Sequence, residues 1–396
     1  MFKDTIEKLY PEMKAIREDL HRHPEISYKE ERTCAFIIEK LNEYGCDEVK
    51  RVFDTGVVAL IKGELGEGKC IALRADIDAL PVTEETGVEF ASENPGVMHA
   101  CGHDLHTTGL LFAARLLCMN KDKFKGTVKL IFQPAEEACC PTDTRGGAKP
   151  MVWNGCMEEP HVDAIVAFHV EPSAEKEIRF ACKYGVITSG FDIYNFTVHG
   201  TTAHGSQPHK GHDAILAISQ FITMLQQVVS RNVDPLKTAI LSVGLIQGGT
   251  RVNIIPDEAT AGGCFRYYDN DTAEVIYNST MAVAKGVEVL SGCTVEVERK
   301  QGYACVDNDP ELTDTVLDAI GRDKVDMMDE AASGSEDFSA YNLLTGVPCA
   351  YLWLRTPSII DGVYALHSSK CILSSEAIKY SADAFTNIAI QYLNNK

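Results

Sequence analysis

The chain has 396 residues, more than one hydrophobic core ordinarily serves, so two domains are expected. Apolar residues make up 45% and charged residues 24%, which excludes a chain disordered throughout. Acidic residues outnumber basic ones, 57 to 37, and a formal charge of -20 repels phosphate backbones and anionic membranes, so neither nucleic acid nor a membrane is an expected partner.

Residues 3–21 carry a charged, amphipathic helical pattern without the apolar core of a secretory leader. No apolar run approaches the roughly 20 residues of a membrane helix, so the expected location is the cytoplasm. Strands are predicted at 56–62 and 69–75, a helix at 105–120, and further strands at 126–132 and 163–168. Their apolar runs are nearly continuous, as in strands covered on both faces, and the alternation with helices reads as α/β with a mostly parallel sheet. The middle of the chain reads differently. Residues 191–199 alternate, 212–230 are helical, strands follow at about 238–247 and 258–267, then a helix at 271–290 and a strand at 293–300. That order, β-α-β-β-α-β, is ferredoxin-like. The expected domains are therefore 1–187 with 301–396, and an inserted α+β domain at 188–300.

Fourteen cysteines are scattered without a repeated spacing. Without a secretory leader they read as mostly buried, reduced side chains rather than a disulfide framework. The adjacent Cys139 and Cys140 are expected to be two free thiols, because neighbouring cysteines bridge only with strain.

Polar residues recur where predicted strands stop. Strand 69–75 runs into Asp76 and Asp78, strand 126–132 into Gln133, Pro134, Ala135, Glu136 and Glu137, strand 163–168 into His169, and a short run at 363–366 into His367. In an open α/β sheet, ligands bind at the carboxyl ends of the strands. The segment His99-Ala100-Cys101-Gly102-His103-Asp104 belongs at the same edge. Asp104 is expected to cap a helix starting near Leu105, leaving Cys101 and His103 in the preceding loop, free to converge on one ion. Thiolate, imidazole and carboxylate together suit zinc. Glu136 and Glu137 could form the first turn of a helix, where acids are favoured. Following a strand and a proline, they read instead as a functional turn, one acid ligating metal and the other moving protons.

These motifs resemble the two-metal aminoacylase and glutamate-carboxypeptidase family, in its amidohydrolase branch with hippurate hydrolase and auxin-conjugate hydrolases. The resemblance is carried by HRHPEIS at 21–27, RADIDALPVTEETG at 74–87, MHACGHDLHTTGLL at 98–111 and QPAEE at 133–137. It continues through GTTAHGSQPHKGHDAI at 200–215, RVNIIPDEA at 251–259, SGSEDFS at 333–339 and ALH at 365–367. It implies that Cys101, His103, Glu137, His169 and His367 ligate two divalent metal ions, with zinc expected and manganese, cobalt or nickel able to serve. It implies Glu136 as general base toward a metal-bridged hydroxide. His204, Asn253 and Arg266 match substrate-contacting positions of the insert, which acts in the family as a lid and dimerisation domain, so a homodimer is expected. Two stretches depart from the family pattern: ACCPTDTR at 138–145 and SSKCIL at 368–373.

Asp76 and Asp78 are candidates to orient ligating histidines. His106 reads as a support or core residue, His21 and His23 as packing or hydrogen-bonding residues, and Glu336 and Asp337 as structural supports. His199, His209 and His212 read as surface residues. The expected activity is hydrolysis of the amide bond of N-acyl amino acids. A dipeptidase or carboxypeptidase-like peptidase is the alternative of the same chemistry. Outside the enzymes, the alternative is a metal- or thiol-sensing protein, which Cys139 and Cys140 favour and the spare carboxylate of Glu136 opposes.

Overall fold

The computed structural model describes residues 2–138 and 146–395. In chain order the elements of the first part are α1 (Lys3–Arg22), α2 (Glu31–Tyr44), β1 (Glu48–Arg51), β2 (Val57–Lys62), β3 (Cys70–Asp76), α3 (His103–Cys118), β4 (Thr127–Gln133), α4 (Ala148–Trp153), β5 (Ala164–Ser173), β6 (Arg179–Cys182) and β7 (Gly185–Val186). The middle part contains β8 (Gly190–His199), β9 (Ala203–His204), α5 (Ala214–Gln227), β10 (Ala239–Gly248), β11 (Ile254–Ile255), β12 (Glu258–Tyr267), α6 (Asn270–Ser291) and β13 (Thr294–Gln301). The chain then continues through β14 (Asp307–Asn308), α7 (Pro310–Ile320), β15 (Val325–Met327), α8 (Ser339–Thr345), β16 (Cys349–Pro357) and α9 (Ala377–Asn394).

Two compact units result: residues 1–187 with 307–330 and 337–396, and residues 188–306 with 331–336. The second unit therefore extends past the expected end at residue 300 and takes in a short later segment.

The first unit holds an eight-stranded sheet in the order β1-β2-β4-β3-β5-β16-β6-β15. Its centre, β4-β3-β5-β16, is parallel. Every residue of β3 is buried, as expected of a strand covered on both faces, and only Arg74 and Asp76 near its carboxyl end interrupt its apolar run. On one face, Leu73, Leu130, Val166, Phe168 and Leu352 form one cluster with Leu110 and Phe112 of α3 and Phe385 and Ile388 of α9. Phe168 stacks on Phe385 with ring centroids 4.2 Å apart. This core fixes where the carboxyl ends of the central strands stand.

The second unit holds a four-stranded antiparallel sheet in the order β10-β12-β8-β13. With α5 and α6, this is the β-α-β-β-α-β arrangement read from the sequence, with the two-residue strands β9 and β11 paired beside it as a small ribbon. Its two edges differ. β13 carries Glu296, Glu298, Arg299 and Lys300, charges that discourage further strand pairing. β10, AILSVGLIQG, carries no charge, and Ile240, Leu245 and Ile246 are exposed on it.

All twelve described cysteines are free, and nine of them are buried. Cys139 and Cys140 lie outside the described residues. Among the described residues, no helix is long and apolar enough to cross a membrane.

Candidate active site

In the first unit, the register of the parallel strands sets the level of the site. Asp76 pairs with Gln133, and Arg74 with Ala167, which places His169 level with Asp76 across the sheet. His169 does not end its strand as expected. β5 runs on to Ser173 because β16 pairs with it as far as Pro357. His169 therefore stands on a rigid strand interior, and its Nδ1–H donates to the Val170 carbonyl at 2.7 Å. That leaves Nε2 without the ring proton and available to a cation, 3.4 Å from the Cys101 Sγ.

The helix after Cys101 starts earlier than the sequence suggested. Gly102 is in the left-handed region with φ 82°, and α3 begins at His103. A Cβ on Gly102 would stand 2.4 Å from Val170 Cγ2, so only glycine lets the chain turn this close to β5. Asp104 is not the cap. Its Oδ2 accepts from His21 Nδ1 at 2.8 Å and pairs with Arg17 Nε at 2.8 Å, all buried. Burial would raise the Asp104 pKa, but Arg17 and His21 hold it far below the usual carboxylate range. This buried group ties α3 to α1 beside His103, and His21 has the hydrogen-bonding role expected of it.

The side chains of Asp76 and Asp78 act on the histidines. The His103 Nδ1–H donates to Asp78 Oδ1 at 3.1 Å. Burial opposes charging His103, but Asp76 and Asp78 hold its pKa up at about 10. The backbone N–H of Val170 donates to His106 Nε2 at 2.8 Å, so the proton of His106 sits on Nδ1 and is donated to Asp76 Oδ1 at 2.5 Å. Arg74 Nη1 donates to the other Asp76 oxygen at 2.6 Å. Behind them, Asp337 accepts from Arg74, from Gln133, and from the backbone N–H groups of Gly147 and Ala148. Arg74 and Asp337 are 263 residues apart, and nothing local in the sequence announces their pairing.

Glu136 and Glu137 lie in a turn, not a helix. Ala135 makes the reversal with φ 55°. Glu136 is buried, and the backbone N–H of Glu137 donates to Asp78 Oδ2 at 3.0 Å. Glu137 Oε1 stands 3.1 Å from His367 Nε2 and 4.0 Å from His103 Nε2. His367 is not at a strand end. Residues 363–366 form no strand, and His367 sits in a turn with φ 68°, held by its N–H to the Ala100 carbonyl at 2.9 Å.

In the second unit, His204 pairs with Ile254 across the small ribbon, and the Asn253 carbonyl accepts the Gly205 N–H at 2.9 Å. Both side chains are exposed, and His204 Nδ1 is 2.8 Å from Ser206 Oγ. Arg266 is not with them. On β12, Glu258 pairs with His199 at the ribbon end, while Arg266 pairs with Phe191 at the other, about 25 Å along the strand. Arg266 Nη1 donates to the Ser333 carbonyl at 2.9 Å and to the hydroxyls of Ser189 and Ser335.

Residues 72–391 match peptidase family M20/M25/M40. The chain belongs to this family. N-acetyl-L-cysteine deacetylase of Bacillus subtilis is 38% identical over 375 residues, covering 94% of this chain and 86% of the relative. Thermostable carboxypeptidase 1 of Saccharolobus solfataricus is 36% identical over 401 residues, covering 99% of this chain and 100% of the relative. A solved Bacillus subtilis structure, a dinuclear metal binding peptidase from the M20 family, is 30% identical with a TM-score of 0.83, covering 98% of this chain and 100% of that one.

The donors of this M20 chain fit metal ions. Its donor atoms group within 4.8 Å of one another as Cys101, His103 and His169; as Cys101, Glu137 and His367; and as His103, Glu136 and Glu137. His103 Nε2 is buried with no hydrogen-bond partner among the described residues, while its other nitrogen is fixed by Asp78. A buried imidazole nitrogen in that condition costs free energy unless a cation or proton fills it. Burial pushes the Cys101 thiol pKa well up, and Glu137 and Glu136 push it further. Only a cation between these groups makes the thiolate favourable.

Proposed function

We propose that this chain is a metal-dependent amidohydrolase that cleaves the amide bond of N-acyl amino acids, releasing a carboxylic acid and an amino acid. The observation that carries the reading is the buried Glu136 carboxylate beside a thiolate, imidazole and carboxylate donor set. A closed structural metal site has no use for an additional base.

In this reading Cys101, His103, Glu137, His169 and His367 hold two divalent ions. Zinc is favoured by the thiolate, with manganese, cobalt and nickel as substitutes. When bound, the ions supply Lewis acidity toward the amide carbonyl and toward water. Glu136 accepts the proton of the attacking water at its carboxylate and returns it to the leaving nitrogen. Asp78 and Val170 fix the ring orientations of His103 and His169, and His106 is fixed between Asp76 and Val170. Hydrolysis of a panel of N-acetyl amino acids, hippurate and dipeptides by zinc- or manganese-loaded protein tests the reading. Turnover of acyl amino acids above dipeptides is the expected result, and no turnover across the panel would sink it. The carboxypeptidase relative favours one second reading, a peptidase with the same machinery, which the dipeptide arm detects.

The second unit is read as a lid and dimerisation domain. Support comes from the uncharged, exposed edge strand β10 against the charged edge β13. A homodimer joined there lets the exposed His204 of one subunit serve the substrate of its partner. Asn253 lies on the same ribbon and is assigned the same task. Arg266 stands at the far end of β12, bonded to Ser189, Ser333 and Ser335, and its assigned contact with the substrate's polar groups is separate from the ribbon's. Complementation tests the arrangement. Glu136→Gln and His204→Ala protein, each inactive alone, should regain about a quarter of normal activity after dissociation and 1:1 remixing, because about half the dimers then hold one complete site. No recovery, with exchange verified by mass, would place His204 in its own subunit's site or outside any site.

A further inference from the structure

We infer that Glu30 is a positioning residue that holds the turn carrying Glu136 and Glu137. The inference deepens the amidohydrolase reading and rests on it for its catalytic consequence. Glu30 immediately precedes α2 and is completely buried. Its Oε1 accepts the backbone N–H of Ala135 at 2.9 Å, and its Oε2 accepts the Thr55 hydroxyl at 2.6 Å. Ala135 is the residue whose positive φ reverses the chain between β4 and Glu136. Two residues on, the Glu137 N–H is taken by Asp78. The two backbone donors flanking Glu136 are thus each held by a buried carboxyl group, Glu30 on one side and Asp78 on the other.

The choice of residue is informative. Burial, and then the neighbouring Asp78 charge, push the Glu30 pKa up to about 7. A carboxyl group in this position opposes burial, and an apolar side chain would fill the space without that penalty. What it supplies is a fixed acceptor, reaching across 105 residues of sequence to a non-glycine residue in the left-handed region. Without the acceptor, the Ala135 N–H is buried and unpaired, and the turn has reason to relax. Glutamine keeps the function: its carbonyl accepts from Ala135, and its amide donates to the Thr55 hydroxyl.

The test compares Glu30→Gln, Glu30→Ala and Thr55→Val in the full-length, zinc-loaded protein. Glu30→Ala should lower kcat by about 10²-fold with KM within about threefold, as expected for a shift of the reacting groups by about 1 Å. It should also give up zinc at roughly tenfold lower chelator concentration, because Glu137 moves with the turn. Glu30→Gln should restore both. Thr55→Val loses one hydrogen bond to Glu30 but leaves Ala135 held, so it should lower the melting temperature without lowering kcat. If Glu30→Ala does not fold, Glu30→Met fills the space without accepting from Ala135 and takes its place. Unchanged kcat and zinc retention in Glu30→Ala overturn the inference. So does an equal kcat loss in Glu30→Gln, which would make charge the cause, or in Thr55→Val, which would make general packing the cause. If the unaltered protein hydrolyses nothing in the panel, the amidohydrolase reading has failed separately, and zinc competition alone decides. Weaker retention in Glu30→Ala than in Glu30→Gln then supports the inference, and equal retention overturns it.

Discussion

Glu136→Gln is expected to keep two bound metal ions per subunit and to lose turnover by about 10³-fold or more, the upper part of the range for removing a general acid and base. The substitution conserves shape and removes the ability to accept a proton at neutral pH. The structure makes the metal measurement decisive, because Glu136 is itself among the possible donors, as in the group with His103 and Glu137. If Glu136 is a ligand, the amide binds metal less well and elemental analysis finds fewer ions. If Glu136 is the base, occupancy is unchanged and only kcat falls. Full occupancy with near-normal kcat would remove Glu136 from the mechanism altogether. KM should change little, because a group that acts only on the transferred proton contributes to turnover and not to substrate binding.

Strands β2 to β5 and helices α1 and α3 of the first unit, and the six main elements of the second unit, were legible in the sequence because their information is local. β3 and β4 are nearly continuous apolar runs, and β8 alternates with period two, so sheet type and face follow from the pattern. The candidate donors Glu137 and His169 were legible as polar residues at the ends of such runs, and Cys101 as a thiol set among polar neighbours. What the sequence misplaced was their backbone setting. His169 lies inside β5 because β16, nearly 200 residues later, extends the pairing. Asp104 has the sequence signature of a cap, but Arg17 and His21 recruit it into a buried ion pair. His367 looked like the end of a strand and instead sits in a turn tied to Ala100. Separating Arg266 from His204 and Asn253 required knowing that β12 runs unbroken from Glu258 to Tyr267. Arg74 reaches Gln133 and Asp337, 59 and 263 residues away, and Glu30 reaches Ala135, 105 residues away, and such contacts leave no periodicity to detect.

Cys101→Ala is expected to abolish activity by a different route, through loss of metal. The Cys101 Sγ is the one atom common to the group with His103 and His169 and the group with Glu137 and His367. Removing it takes a donor from both sets at once, and affinity should fall by more than the 10–100-fold typical of losing a supporting residue. The fold itself should tolerate the change. Cys101 is buried, its thiol is held in the neutral form by burial and by Glu137 and Glu136, and a methyl group is an acceptable smaller neighbour there. The signature is therefore a difference between two melting curves. In the unaltered protein, added zinc should raise the melting temperature, because a ligand that binds only the folded state stabilises it by mass action. In Cys101→Ala the metal-free melting temperature should stay close to normal while the zinc-dependent rise largely disappears. Elemental analysis after gel filtration should find the same deficit. A variant that melts normally, holds both ions and turns over substrate would show that Cys101 is only a buried thiol and that His103, Glu137, His169 and His367 suffice. Loss of the metal-free fold would instead assign Cys101 to packing against His169, whose Nε2 stands 3.4 Å from the thiol.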